Sequence, residues 1–248
     1  MAARIHPSSV IDPRAELAPD VEVGPFAVVG DGVSLGAGTR LLAHAVVLGP
    51  TLLGKENVVH SFAVVGGDAQ HKRPPPPGES RLVIGDRNVF REHATVHRGA
   101  PASPTRIGDD NLLMVGSHVA HDVFLGSHCT VANAVQIAGH ARIEDHVTFG
   151  GLSGVAQFVV VGQSAFVAAG AMCEGRIPPF AIVQGDRARV RGLNVVGLRR
   201  RGVPEASIVR LHAAFRKLFG KNTPRAQALR EIPRGDPFVD ALLLALEP

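Results

Sequence analysis

The chain has 248 residues, 45% of them hydrophobic but only 4% aromatic, with neither Trp nor Tyr, so a sizeable core must be packed by Val, Ile, Leu and Ala. The net charge of +4 favours anionic partners, yet basic and aromatic residues do not interleave, so nucleic acid is not an expected partner. The two cysteines, Cys129 and Cys173, lack CxxC spacing, which argues against a disulfide framework or zinc site and for a reducing compartment.

From Ile5 an aliphatic residue returns every six positions, in the frames IHPSSV, IDPRAE, LAPDVE, VGPFAV, VGDGVS and LGAGTR, and the pattern runs to about Gln184. A unit this short cannot bury its own apolar face and must stack on its neighbours. Its fifth position is small or compact (Ala15, Val21, Ala27, Val33, Thr39, Ala45, Asn57, Ala63), as a narrow coil requires. A period of six is neither helical nor a simple strand alternation. It predicts short strands joined by turns, three frames to a triangular coil, wound as a parallel β-helix of about nine coils and ~43 Å.

Two segments interrupt the frames. Residues 68–81 (DAQHKRPPPPGESR) hold four consecutive prolines and must project from the ladder; residues 100–104 (APASP) make a smaller break. After Gln184 the pattern turns helical. Pro204 to Phe219 puts Ile208, Leu211, Phe215, Leu218 and Phe219 on one face, Gly220 is a stop signal, and Thr223-Pro224 and Asp236-Pro237 read as helix starts. The expected organisation is a β-helix domain over 1–190 and a small helical domain over 191–248. The frames begin at Ile5 without a signal-peptide pattern, and the apolar run Ala241 to Leu246 is too short to cross a bilayer. A cytoplasmic protein without stable membrane insertion is therefore expected.

Three frames per coil place each residue above the one eighteen positions earlier. His121 then shares a column with Gly139 and Gln157, and Asp122 lies under His140. Imidazole is the natural general base near neutral pH, and a glycine N–H can hold an oxyanion that a side chain would screen. A strand histidine with a purely structural role is the competing reading. A metal site is not expected: His118 and His121 are three apart, on different faces of a coil, and no third His lies eighteen positions from either.

The segments IGDRNVFREHATVHRG, IGDDNLLMVGSHVAHD, VANAVQIAGHARIEDH and GLNVVGLRRRG follow one another in order. Over nearly its whole length the chain resembles the UDP-N-acetylglucosamine O-acyltransferase family of lipid A synthesis. The resemblance implies a left-handed winding and a homotrimer with active sites between adjacent prisms. Acyl carrier protein would donate a 3-hydroxyacyl chain to the 3-hydroxyl of UDP-N-acetylglucosamine, with no cofactor. By the same match His121 is the base, Asp122 orients it and Gly139 supplies the oxyanion N–H. His118, His140 and Gln157 contact substrate; Asn194, Arg200 and Arg201 meet the nucleotide and pyrophosphate; Ala169 is the acyl-chain ruler, its methyl suggesting a medium-length chain.

Several positions depart from the family pattern. Ala156 stands where the family has His, Val196 where it has an acidic residue, and Lys72 and Arg73 compete for the role of one loop lysine. These departures leave open a 3-amino sugar acceptor. Another hexapeptide acyl- or acetyltransferase is the further alternative; of these, the N-acyltransferase of the same pathway normally carries an additional N-terminal domain.

Overall fold

The computed structural model describes residues 3–72, 80–220 and 222–247, so Arg73 and the proline run of the first insertion lie outside the described residues. Strands of two to four residues stack into three parallel sheets, visited in rotation. The first sheet runs from Arg4–Ile5 to Ala181–Gln184, the second from Val10–Ile11 to Met172–Cys173, and the third from Glu16–Leu17 to Val160–Val161. The winding makes a left-handed β-helix of about 10 turns, one more than the nine read from the frames. Ten rungs enclose nine spacings of ~4.8 Å, so the length of ~43 Å is unchanged.

The hexad explains the coil. First-position side chains such as Val23, Leu41, Val65, Leu113 and Ile137 fill the interior, and fifth-position residues such as Ala27, Ala45, Ala94 and Ala171 sit where the coil is narrowest. At most corners the fourth position turns the chain in the left-handed region; Phe26, His44, Asp122 and His140 all adopt it, with φ of 58°, 61°, 61° and 61°. That conformation is costly for a side-chain-bearing residue. Here the corner N–H gains a partner in the rung below, as where His140 N–H donates to the His121 carbonyl at 3.1 Å. Parallel register therefore locks each corner.

The first sheet carries on in register past both insertions, while the second sheet takes a register shift between Val65 and Gly67 at the start of the first one. Val58 pairs with Val89, and Val89 with Leu112, each in register with its neighbours. Inside these rungs Asn57, Asn88 and Asn111 are buried one above another. Asn57 Oδ1 accepts from the backbone N–H and side-chain amide of Asn88 at 2.9 and 3.0 Å, and Asn88 Oδ1 accepts likewise from Asn111 at 3.0 and 2.9 Å. Asn111 Oδ1 then takes the Cys129 N–H at 2.7 Å.

The prism ends in a reversal. Strand Arg189–Leu193 pairs antiparallel with Ala181–Gln184, spanning residue 190, where the two expected domains meet. Helices α1 (Val195–Arg200), α2 (Glu205–Phe219), α3 (Arg225–Glu231) and α4 (Pro237–Leu246) follow. Helix α1 is not foreseen by the periodicity, being too short to show one. Helix α2 buries Ile208, Leu211, Ala214, Phe215 and Leu218, while Phe219 is half-buried. Gly220 ends it in extended conformation, not the left-handed cap typical of glycine. Asp236 caps α4 through the N–H groups of Phe238 and Val239, as its pairing with Pro237 suggests. At α3 the cap position belongs to Pro224, not Thr223, and no side chain caps it. No described helix is long and apolar enough to cross a membrane.

Candidate active site

A cleft of about 520 Å³ lies along the outer face of the second sheet and the corner that follows it. His118, His121, Gly139, Ala156, Gln157 and Met172 line it, with Gln70 reaching in from the first insertion. His121 lies flat on Gly139: a Cβ added to that glycine would stand 2.8 Å from the imidazole Cε1. Glycine is thus required beneath the ring, and among the described residues no acceptor takes the Gly139 N–H. Phe158, on the next rung, stacks on His140 with centroids 4.7 Å apart.

Asp122 is held from three sides. Its side chain is 4% exposed. Oδ2 accepts from His121 Nδ1 at 2.5 Å, Oδ1 accepts the Ala100 N–H at 2.9 Å, and its own N–H donates to Thr105 Oγ1 at 2.8 Å. The short insertion therefore serves the carboxylate, and the carboxylate fixes the imidazole so that Nε2 is left for a substrate. His140 Nε2 approaches the same Oδ2 at 3.7 Å.

The remaining histidines frame this pair. His118 Nδ1 bonds Thr95 Oγ1 at 2.8 Å. Burial, with His97 and His121 nearby, pushes His118 down to about 4, so it is neutral at ordinary pH. The ring of His71 meets that of His121 edge-on at 6.0 Å. Cys173 lines the cleft, but burial raises its thiol to about 11, which removes it as a nucleophile. Contrary to the reading from spacing, His121, Asp122 and His140 do bring three donor atoms within 4.8 Å of one another, close enough to hold a metal ion. The +18 rule compared only imidazole with imidazole and overlooked Asp122 as the middle donor.

A family profile described as UDP-N-acetylglucosamine O-acyltransferase, domain 2, matches residues 177–247. The acyl-[acyl-carrier-protein]–UDP-N-acetylglucosamine O-acyltransferase of Stenotrophomonas maltophilia is 43% identical over 253 residues, covering 99% of this chain and 95% of the relative. The chain belongs to this family. It is therefore an acyltransferase. The solved LpxA of Acinetobacter baumannii, 36% identical, matches with a TM-score of 0.90 over 98% of this chain and 96% of its own. The Arabidopsis UDP-N-acetylglucosamine acyltransferase, 34% identical, matches at 0.85 over 98% and 95%.

In this family member the expected residues divide between two faces. Asn194, Val196, Arg200 and Arg201 line a separate cavity of about 690 Å³ against the first sheet and the corner that precedes it, together with His128, His146 and Ser164. Arg201 donates to Ser164 Oγ at 2.6 Å and is partly buried, which lowers its pKa but leaves a guanidinium charged. Burial, with Arg201 alongside, lowers His146 as well. Asn194 is engaged within the chain, its amide donating to the Ser164 carbonyl at 2.9 Å and its oxygen capping α1 at Gly197 N. Lys72 is exposed on the first insertion. Ala169 is exposed at the corner joining the first and second sheets and lines neither cavity.

Sequence reasoning missed Thr95, Ala100, Thr105 and Phe158. Phe158 was within reach, since eighteen added to His140 gives it. Thr95 and Ala100 pair across the second insertion, where the offset is no longer eighteen, and Thr105 bonds at an offset of seventeen, one short of the column rule.

Proposed function

We propose that this acyltransferase moves a 3-hydroxyacyl chain from acyl carrier protein to the 3-position of UDP-N-acetylglucosamine, the first step of lipid A biosynthesis. The observation that carries the reading is His121 bonded to Asp122 through Nδ1 and lying against the unbonded N–H of Gly139. His121 Nε2 takes the proton of the sugar 3-hydroxyl, and the oxygen attacks the thioester carbon. The carbonyl oxygen becomes an oxyanion and accepts from the Gly139 N–H. As the intermediate collapses, the carbon–sulfur bond breaks and the imidazolium returns its proton to the departing thiolate. An ester and a free carrier thiol result, with no cofactor in the step.

The two cavities support a homotrimer. The corner between the first and second sheets separates them. Along it Phe26, His44, Phe62 and His93 stack face to face with centroids 5.0–5.4 Å apart, leaving Phe26 59% and Phe62 51% exposed. Three copies packed about this corner would set the second sheet of one against the first sheet of the next. That packing joins His121 to the partner's arginine-lined cavity and covers the aromatic column. It would also bring the corner residue Ala169 to a partner's cleft as a ruler. Substrates made in the cell interior suit a cytoplasmic enzyme.

Mass spectrometry of products, with both UDP-N-acetylglucosamine and its 3-amino analogue against a panel of acyl carrier protein thioesters, tests the reading. A 3-O-acyl product is expected, and absence of any acylated sugar would sink it. Preference for the amino sugar would change the bond to an amide; the exposed Ala156 at the cleft, where the family has His, is what favours that second reading. Stoichiometric zinc in purified protein, with activity lost on chelation, would replace the base with a metal centre.

A further inference from the structure

Both feet of the first insertion are gripped by three consecutive residues, His97, Arg98 and Gly99, where the strand Thr95–His97 ends. The chain leaves the second sheet at Gly66, whose φ of 86° and closeness to the Leu48 carbonyl leave no room for a Cβ. The Gly67 carbonyl accepts the Arg98 N–H at 2.8 Å, and His97 Nδ1 donates to the Asp68 carbonyl. The Arg98 guanidinium donates through Nη1 to the Gly66 carbonyl and through Nη2 to Asp68 Oδ1. At the other foot Arg81 and Gly99 each donate an N–H to the other's carbonyl, at 3.1 and 3.0 Å. The strap then runs on to the site, where the Ala100 N–H meets Asp122 Oδ1. Two residues beyond Asp68, Gln70 enters the cleft, and the His71 ring stands edge-on to His121.

Stability alone does not explain an arginine here. Arg98 is 8% exposed, the side chain of its partner Asp68 is 82% exposed, and the buried Nε has no acceptor among the described residues. An apolar side chain of similar volume would hold the prism together as well or better. Only the planar fork of a guanidinium reaches a backbone carbonyl and a carboxylate at once and fixes the angle between them. We infer that Arg98 is a positioning residue for acyl transfer. It fixes the root of the first insertion, so that Gln70 and His71 are already held against His121 when substrate arrives. Without it the loop must be ordered on binding, and the loss falls mainly on KM. The kinetic part of this inference rests on the acyl-transfer reading above.

Hydrogen exchange read by mass spectrometry in Arg98→Met and Arg98→Lys tests the clasp without reference to the reaction. Exchange over residues 67–72 should quicken about tenfold in Met and less in Lys, while the rungs from Ile107 to Cys173 keep their protection. In steady-state transfer kcat/KM should fall about tenfold in Met, mostly through KM, with partial recovery in Lys and little change in Tm. Made on a Gln70→Ala/His71→Ala background, Arg98→Met should cost no more than about twofold, because the groups it positions are gone. Should Arg98→Met fail to fold, Asp68→Ala on the exposed half of the clasp takes its place, with the same changes at smaller size. Unchanged exchange over 67–72 in a folded variant would overturn the inference, and so would a kinetic loss as large on the double-alanine background as alone. Absence of transfer by the unmodified enzyme from every thioester would instead sink the acyl-transfer reading, with exchange still deciding the clasp.

Discussion

Two corners of the same prism use the same backbone position in opposite ways. At the corner between the third and first sheets, four successive third-position N–H groups are each taken by a side chain from the next rung. Lys55 N–H donates to Asp86, Asp86 to Asp109, Asp109 to Ser127 and Ser127 to Asp145, at 2.7, 2.7, 3.0 and 2.8 Å. Glycine precedes these residues for room: a Cβ on Gly85 or Gly126 would fall 2.0 or 2.3 Å from the capping carboxylate. At the corner between the second and third sheets the same position holds His121, Gly139 and Gln157, and no capping oxygen follows. The first column spends its N–H groups on stability; the second keeps one for a ligand.

The sharpest way to break this contrast is His121→Ala, which should lower transfer about 1,000-fold while Tm and oligomeric mass are unchanged; near-normal turnover would assign the base elsewhere. Asp122→Asn keeps the shape but loses the acceptor for Nδ1–H, and a drop of about a hundredfold in kcat with little change in KM is expected. Steady-state kinetics decides whether the carboxylate orients the base or merely packs. At the other corner Asp109→Ala should leave kcat/KM alone and cost about 1 kcal/mol, read as a fall of about 2–4 °C in Tm. Loss of activity there would mean that the capping column also shapes the site.

The smallest effect concerns His118. Its pKa is depressed when folded, so the unfolded chain binds the proton first as pH falls. Its contribution is complete above about 6.5 and is lost from there down through about 4. Tm measured against pH should slope over that window and flatten in His118→Gln.

The capping column was legible in advance, in the frames IGDRNV, IGDDNL and LGSHCT, whose third residues are the caps. The stack of His121, Gly139 and Gln157 was equally legible, because from Ile107 to Cys173 the rungs add eighteen. What hid most of the supports of His118 and Asp122 was loop length: Thr95 and Ala100 meet them across an insertion, where no fixed offset finds them, while Thr105 lies one residue off the column of eighteen. Helix α1 and the strand Arg189–Leu193 were hidden for another reason. They are too short for periodicity, and their place is set by packing against the end of the prism. The division of the site between two faces follows from which sheet precedes each corner, a fact of topology that motif order does not carry.

The asparagine column has a consequence for how the chain finds its winding. A solenoid of near-identical hexads offers many threadings that differ only by a frame, and the two insertions remove the even spacing that would otherwise align successive rungs. Asn57, Asn88 and Asn111 stand on either side of those insertions, one to a rung. Displacement by a single frame would seat an amide opposite an aliphatic neighbour and strand buried donors, at a few kcal/mol for each group left unpaired. The column works as an indexing pin: it adds little to the correct thread and heavily penalises its neighbours, which lets the loops beside the active site vary in length without the prism losing count.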